Sequence, residues 1–170
     1  MNVYMTTGTY DFLKSKKDKY QEEEIILMQN AENTLLYHET NGKSVFSSPR
    51  KFEVIESKGT IGGKGYAVMN NIPVSGEGRP VFEYKFKNRA GKIENERGFQ
   101  AIRILRPIQS DTYVILTVWD DAMSFNNWKN SNSFSEAHQK EQPGKKTDAS
   151  QTIFSGPSYV TQYTITSDTE

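Results

Sequence analysis

The stretch FQAIRILRPIQSDTYVILTVW, residues 99–119, holds two apolar runs on either side of a polar turn. Runs of this length that are rich in Ile, Val, Thr and aromatic residues are typical of β-strands, and the short proline-containing connection is typical of a turn. The stretch therefore predicts an antiparallel pair, with strands over 99–105 and 112–119 joined through 107–111.

Upstream of this pair, a strand and a helix are predicted. Residues 66–74 alternate as a strand, with Val68, Ile72 and Val74 on one face. The segment after Pro80 places Phe82, Phe86 and Ala90 at helical spacing, followed one step later by Ile93, and Pro80 lies near the first helical position.

Downstream of the pair, a second helix and a last strand are predicted. Asp120 or Asp121 is expected to cap a helix that contains Phe125 and Trp128. A short helical turn is expected over 134–139 and an alternating strand over 159–165. The resulting order of strand, helix, strand, strand, helix, strand is the split βαβ, or ferredoxin-like, pattern.

The first part of the chain repeats this theme less regularly. Strands are predicted over 3–7, 24–29, 34–39 and 52–55. A helix over 9–20 is expected to turn Phe12 and Leu13 inward, and Asn41-Gly42 predicts a two-residue hairpin with a returning strand over 43–46.

The glycine-rich stretch 58–65 predicts a boundary near residue 63. Residues 1–63 are interpreted as a degenerate N-terminal half and residues 64–170 as a complete C-terminal one. Because a domain of about 60 residues buries too little surface to be stable alone, the two halves are expected to share one sheet or barrel.

Composition excludes several classes of protein. The 170 residues contain no cysteine, which removes disulfides, iron–sulfur clusters, thiolate-ligated zinc and cysteine nucleophiles. No apolar run is long enough to span a bilayer, and residues 1–5 have neither a basic start nor an apolar stretch typical of a secretory signal. We therefore expect a soluble cytoplasmic protein with no membrane partner.

Charge is balanced overall, with 21 basic and 21 acidic residues, but residues 79–107 carry eight basic side chains and only three acidic ones. This excess indicates either an anionic ligand or the solvated outer face of a helix. No nucleic-acid-binding motif accompanies it, so no nucleic-acid partner is expected.

Two histidines are the main candidates for chemistry, because no Ser-His-Asp arrangement or phosphate-binding loop is present. His38 lies in a predicted strand without a second ligand nearby and is expected to be structural. His138 has no metal-ligating partners and makes a poor zinc site. A single imidazole is nevertheless a sufficient ligand for haem iron, because the porphyrin supplies the other four donors.

The chain resembles IsdG-type haem-degrading monooxygenases of the antibiotic biosynthesis monooxygenase (ABM) superfamily in the segments 118–119, 124–131 and 134–138. In these segments nine residues separate Trp128 from His138. The phrase Glu94-Asn95-Glu96-Arg97-Gly98-Phe99 is similar to a turn in the same proteins. Over its whole length the chain resembles the members that join two ferredoxin-like halves.

The resemblance implies an α+β fold of the dimeric α/β-barrel type, in which two fused ferredoxin-like halves form one shared antiparallel β-barrel, and a monomer. It also implies oxidative opening of the haem ring with O2 and an external electron donor, either a reductase or a small-molecule reductant. The products are iron and an open-chain tetrapyrrole.

The family uses an asparagine, a tryptophan and a histidine. Trp128 and His138 match the last two, while the first is Asn70 or Asn71. Strand parity favours Asn70, which shares a face with Val68 and Ile72. His138 is then the axial ligand of the haem iron, Asn70 supplies an amide N–H on the opposite side, and Trp128 presses on the porphyrin. Residues that could meet the haem propionates are Lys85, Lys87, Arg89 and Lys92.

Three other functions remain open at this point. A haem chaperone or sensor would hold the same ligand without consuming it. A cofactor-free monooxygenase of the wider superfamily would act on an aromatic polyketide. A regulatory protein of the related TRAP group would share the two-part layout.

Overall fold

A computed structural model describes residues 1–87, 93–131 and 153–166. Their strands are β1 (Asn2–Gly8), β2 (Ile25–Gln29), β3 (Thr34–Thr40), β4 (Arg50–Gly59), β5 (Gly65–Pro73), β6 (Phe99–Ile108), β7 (Thr112–Trp119) and β8 (Tyr159–Ile165). Their helices are α1 (Tyr10–Lys19), α2 (Arg79–Lys87) and α3 (Ala122–Lys129). None of these described helices is long and apolar enough to cross a membrane.

All eight strands form one closed barrel in the order β1-β3-β2-β8-β5-β7-β6-β4, and every pairing is antiparallel. The order contains two equivalent runs, β4-β1-β3-β2 and β8-β5-β7-β6, which meet at the pairings β2–β8 and β4–β6. Each run has the strand order of a ferredoxin-like half. The α+β fold of two fused ferredoxin-like halves in one shared barrel is thus confirmed, while the boundary between residues 1–63 and 64–170 stays a prediction.

Alternating side chains from every strand fill the barrel interior. The interior cluster consists of Val3, Met5, Met28, Leu35, Tyr37, Phe52, Ala67, Met69, Ala101, Leu105, Val114, Leu116, Val118, Tyr163 and Ile165. Because successive residues of a strand point to opposite faces, the intervening residues lie on the outside, where the helices cover part of them.

One ion pair lies among these interior side chains. Arg103 Nε donates to Glu39 Oε1 at 2.7 Å, and the Tyr37 hydroxyl donates to the same oxygen, also at 2.7 Å. Arg103 Nη1 also donates to the carbonyl oxygens of Lys58 and Ile102. Burial and the adjacent Glu39 carboxylate raise the pKa of Tyr37 well above its usual value, so Tyr37 remains a neutral donor.

Helix α1 begins after Thr9, whose hydroxyl accepts a hydrogen bond from the backbone N–H of Phe12. The helix buries Leu13 against the barrel, as predicted, but Phe12 is 62 % exposed. The prediction for Phe12 is therefore wrong. Adjacent helical residues point about 100° apart, and with Leu13 directed at the barrel the Phe12 ring lies at the surface, where Lys16 Nζ is 5.7 Å from its centroid.

The segment 43–46 is not a strand, so the predicted hairpin at Asn41-Gly42 is also wrong. Phe46 is buried instead, with its ring centroid 5.7 Å from that of His38. The next strand is β4, which pairs with β1 and β6 and not with β3; it begins at Arg50 and is longer than the predicted 52–55. The apolar contact made by Phe46 outweighs the local turn signal.

The C-terminal elements follow the sequence predictions closely. Asp121 caps α3, because its side chain accepts from the backbone N–H of Ser124. Gly98, in the turn before β6, has φ +81°, and a Cβ built on it would lie 2.2 Å from Ser124 Oγ. Only glycine adopts this backbone conformation without strain and also allows the first turn of α3 to approach so closely.

Candidate functional site

Strand β5 divides its residues between the barrel interior and an outer face. Ala67 and Met69 belong to the interior cluster, whereas Val68 and Ile72 pack outside it. Asn70 therefore lies on the outer face. Asn71 lies on the opposite side, is 2 % exposed, and donates to Met69 O, Tyr159 O and Thr161 Oγ1.

Asn70 has apolar neighbours in register on both adjacent strands. Ile115 of β7 is paired with it on one side and Val160 of β8 on the other. Ile115 is half-buried, while Val160 is 54 % exposed. We call the surface formed by Asn70, Ile115 and Val160 the interhelix face, because the clusters beneath α2 and α3 lie on either side of it.

No described residue forms a hydrogen bond with the side-chain amide of Asn70, which is half-buried. The chain thus places one unpaired polar group among apolar side chains. Ile115 packs against both the α2 cluster and the α3 cluster, so the interhelix face is continuous with both.

Helix α2 provides one aromatic wall. Phe82 is buried, and its ring centroid lies 4.6 Å from that of Phe86 and 4.6 Å from that of Tyr113 on β7. Glu83 fixes the helix to the barrel, because it accepts from Arg106 Nε at 2.9 Å and from the Tyr113 hydroxyl. The hydrogen bonds from Arg106 hold the pKa of Glu83 below its usual value, so the carboxylate stays charged.

Helix α3 provides the other aromatic wall. Phe125 is buried, and the half-buried Trp128 lies over Trp119 of β7 with 5.3 Å between ring centroids and 30° between ring planes. Tyr66 on β5 packs against Phe125 at 6.2 Å between centroids. Trp128 is thereby held on the same side of the barrel as Asn70 by stacked aromatic rings.

The third predicted site residue, His138, lies outside the described residues, as do the predicted helical turn over 134–139, Ala90, Arg89 and Lys92. Lys85 is exposed on α2. The structure thus brings Asn70 and Trp128 to one side of the barrel.

Much of the basic excess of residues 79–107 is used within the protein. Arg106 binds Glu83 and lies 3.6 Å from Glu53, and Arg103 binds Glu39 inside the barrel. Arg79 donates to the Tyr113 hydroxyl and to Pro107 O. These three arginines are held by partners in the chain, so the local excess of positive charge overstates what is available to a ligand.

The equivalent outer face beneath α1 is filled. His38 is fully buried there between the rings of Tyr4 and Phe46, with Nε2 3.0 Å from Glu23 Oε2. Because a carboxylate only accepts, Nε2 is the donor of this hydrogen bond, and the buried Nδ1 has no hydrogen-bond partner among the described residues. The expectation that His38 is structural agrees with this packing.

The family model described as "Antibiotic biosynthesis monooxygenase" matches residues 65–140. This stretch of the chain resembles an antibiotic biosynthesis monooxygenase (ABM) domain. The matched range begins at the first residue of β5 and includes Asn70, Trp128 and His138. The resemblance to IsdG-type proteins of this superfamily is confirmed at the level of the ABM family.

Two curated relatives with different functions resemble the chain over more than three quarters of its length. A haem-degrading monooxygenase of Listeria monocytogenes is 28 % identical over 129 residues, 76 % of this chain and 77 % of the relative. The signal transduction protein TRAP of Staphylococcus epidermidis is 27 % identical over 141 residues, 83 % of this chain and 84 % of the relative.

Among solved structures, a major regulator of staphylococcal pathogenesis superposes with a TM-score of 0.83 and 24 % identity. The superposition covers 97 % of this chain and 99 % of that chain. This similarity supports the two-part barrel. It carries no information on activity, because the same fold serves unrelated functions.

Sequence reasoning missed one polar pair at the edge of the interhelix face. The Tyr66 hydroxyl donates to Gln162 Oε1, joining β5 to β8 across 96 residues of sequence. Strand parity could have placed Tyr66 on the face of Asn70, but no local signal pairs it with Gln162.

Proposed function

We propose that this chain is a haem-degrading monooxygenase that binds haem on the interhelix face and opens its ring with O2 and an external electron donor. The products are iron and an open-chain tetrapyrrole. The observation that carries the proposal is the side-chain amide of Asn70, which is half-buried and unpaired among the described residues and lies between two aromatic clusters.

The described residues suit a large, flat, apolar ligand. Ile115 and Val160 offer apolar surface beside Asn70, and Val160 is 54 % exposed. Burying such surface under a macrocycle is favourable by about 25 cal/mol per Å². A planar ring can also contact the aromatic side chains of α2 and α3 face or edge on.

Three side chains have proposed roles. Haem is the substrate, and its iron supplies the redox chemistry with O2. Asn70 donates an amide hydrogen bond where negative charge develops on the ring side that it faces, an effect that fixed donors deliver without reorganisation. Trp128, braced by Trp119 and Phe125, presses a rigid ring against the porphyrin. His138 is the proposed axial ligand, on the strength of the sequence motif alone.

The haem-degrading relative from Listeria monocytogenes supports this function. A role in signalling is the second candidate, because the TRAP relative covers a larger share of the chain at nearly the same identity. The two candidates differ in a measurable property. A monooxygenase consumes bound haem when electrons and O2 arrive, whereas a signalling protein or a haem carrier does not.

The test is an anaerobic hemin titration followed by air and ascorbate, with catalase present to remove free peroxide. The enzyme is expected to bind hemin with one-to-one stoichiometry, seen as a Soret band, and the band is expected to decay with release of iron once air and ascorbate are added. Asn70→Ala is expected to keep the band and to slow its decay about 100-fold or more, the usual loss for one catalytic hydrogen-bond donor. Asn41→Ala, an exposed position outside the face, is the matched control and is expected to decay as the wild type does.

His138→Ala is expected to abolish or shift the Soret band. A band that forms but persists with several donors would contradict the monooxygenase and favour a carrier or signalling protein. No band at all would contradict haem as the ligand. Equal decay in Asn70→Ala and wild type would remove Asn70 from the mechanism.

A further inference from the structure

Two polar side chains lie at the edge of the interhelix face on the α3 side, where Tyr66 packs against Phe125. Tyr66 shares the outer side of β5 with Val68 and Asn70, because these residues alternate with the interior residues Ala67 and Met69. On β8, Gln162 is paired with Val68 and lies two residues after Val160, which is paired with Asn70, so both side chains are on the outer face. The Tyr66 hydroxyl and the Gln162 side chain meet in a hydrogen bond across this edge.

The pair has unused donors. Tyr66 gives its proton to Gln162 Oε1, and no described residue accepts from Gln162 Nε2. Gln162 is exposed, and Tyr66 is half-buried against Phe125. Burial raises the pKa of Tyr66, so its hydroxyl stays protonated at neutral pH. A primary amide N–H and a rotatable hydroxyl are both suited to an anionic oxygen.

The opposite edge, beneath α2, is less suitable for an anion. Arg106 lies there, but its charge is neutralised by Glu83 and Glu53. Arg79 also lies there, but it already donates to the Tyr113 hydroxyl and to Pro107 O. An incoming carboxylate would have to compete with Glu83 for Arg106. Gln162 Nε2 has no acceptor among the described residues, and the Tyr66 hydroxyl exchanges only a neutral acceptor, Gln162 Oε1, for the carboxylate.

We infer that Tyr66 and Gln162 form a carboxylate-recognition edge that fixes the in-plane orientation of an acidic tetrapyrrole on the interhelix face. This inference rests on the proposed function for the nature of the ligand. Gln162 Nε2 donates to one carboxylate oxygen, and the Tyr66 hydroxyl rotates from Gln162 Oε1 to donate to the same group. Tyr66 and Gln162 are positioning residues, because they hold the periphery of the ligand and not its reacting atoms.

The experiment compares two ligands on four proteins. The ligands are ferric protoporphyrin IX and its dimethyl ester, in which both carboxylates are masked, and the affinity is taken from the Soret titration. The proteins are the wild type, Tyr66→Phe, Gln162→Leu and the control Tyr84→Phe, which removes a hydroxyl from an exposed position on α2. Melting temperatures and near-ultraviolet circular dichroism check that each variant is folded.

The wild type is expected to bind the free acid about tenfold more tightly than the ester, since hydrogen bonds to charged groups are the strong class. Tyr66→Phe and Gln162→Leu are each expected to lose affinity for the free acid severalfold and to keep their affinity for the ester. Tyr84→Phe is expected to change neither.

Equal losses for both ligands would assign Tyr66 and Gln162 a merely structural role and overturn the inference. So would a wild type that binds acid and ester equally well, which leaves the proposed haem function intact. A wild type that binds neither porphyrin overturns both the inference and the proposed function. The ligand comparison therefore separates the two failures.

Discussion

Replacing Glu39 with methionine removes the carboxylate that accepts from Arg103 and Tyr37 inside the barrel. The Arg103 and Glu39 side chains are only 7 % and 11 % exposed, so solvent cannot replace the lost partner. Glu39 belongs to β3 and Arg103 to β6, and the ion pair joins strands that are not neighbours in the barrel. We expect this substitution to be among the most destabilising in the chain.

The magnitude follows from the burial. Breaking a buried ion pair costs about 3–5 kcal/mol, because one charge is left without compensation. Arg103 keeps its two hydrogen bonds to backbone carbonyls, which places the expected loss near the lower end of that range. A loss of about 3 kcal/mol lowers Tm by roughly 6–12 °C in a chain of this size. It is a large share of the roughly 5–15 kcal/mol that stabilises a typical domain.

Urea unfolding at pH 7 measures the effect in Glu39→Met, Arg103→Met and the double variant. Each single variant is expected to lose about 3 kcal/mol or more, while the double variant recovers most of that loss, because removing both charges is often nearly neutral. Asp18→Ala is the control, since its pair with Lys14 is exposed and worth at most about 0.5 kcal/mol. Single losses below about 1 kcal/mol, or losses that simply add, would refute the reasoning.

Gly98→Ala is expected to lower the free energy of unfolding by about 1–3 kcal/mol, because Gly98 has a positive φ and lies against α3. Gly76→Ala is the control, since a Cβ there meets nothing within 4 Å, and equal losses in the two variants would contradict the prediction. Glu83 has a lowered pKa, so its contribution is present above about pH 4.5 and is lost as pH falls through the folded value. The stability difference between wild type and Glu83→Gln should shrink from pH 7 to pH 3, and an unchanged difference would contradict this sign. Asn71→Leu is expected to lower the free energy of unfolding by about 1–3 kcal/mol, because it removes buried hydrogen bonds, and Asn70→Leu by less than about 0.5 kcal/mol. Similar urea midpoints for the two variants would contradict the assignment of Asn71 to the buried side of β5 and Asn70 to the outer face.

The parts of the fold that sequence could predict depend on local patterns. Strands β6 and β7 are recognisable because both are apolar runs bounded by turn residues, and the cap at Asp121 is a local hydrogen bond. Strand parity also predicted that Asn70 shares a face with Val68 and Ile72, and in the structure that face is the outer one. Each of these inferences needs only neighbouring residues.

The errors arose where distant contacts decide the structure. Phe46 packs against His38 and so prevents the hairpin that Asn41-Gly42 favours. The ion pairs Arg103–Glu39 and Arg106–Glu83 could not be predicted either, because their partners lie 64 and 23 residues apart in sequence. Composition counts charges but does not show which of them are already paired.

The two outer faces of this barrel are made by different residues, with the one beneath α1 filled by Leu13, His38 and Phe46. A barrel assembled from two identical chains must repeat every substitution on both faces, because its symmetry relates them. Here a single chain closes the barrel through two unlike pairings, β2–β8 and β4–β6. Substitutions under α1 can therefore be chosen to raise the stability of the chain, while the face around Asn70 is changed separately to suit its ligand. A twofold assembly does not allow the two faces to be changed independently.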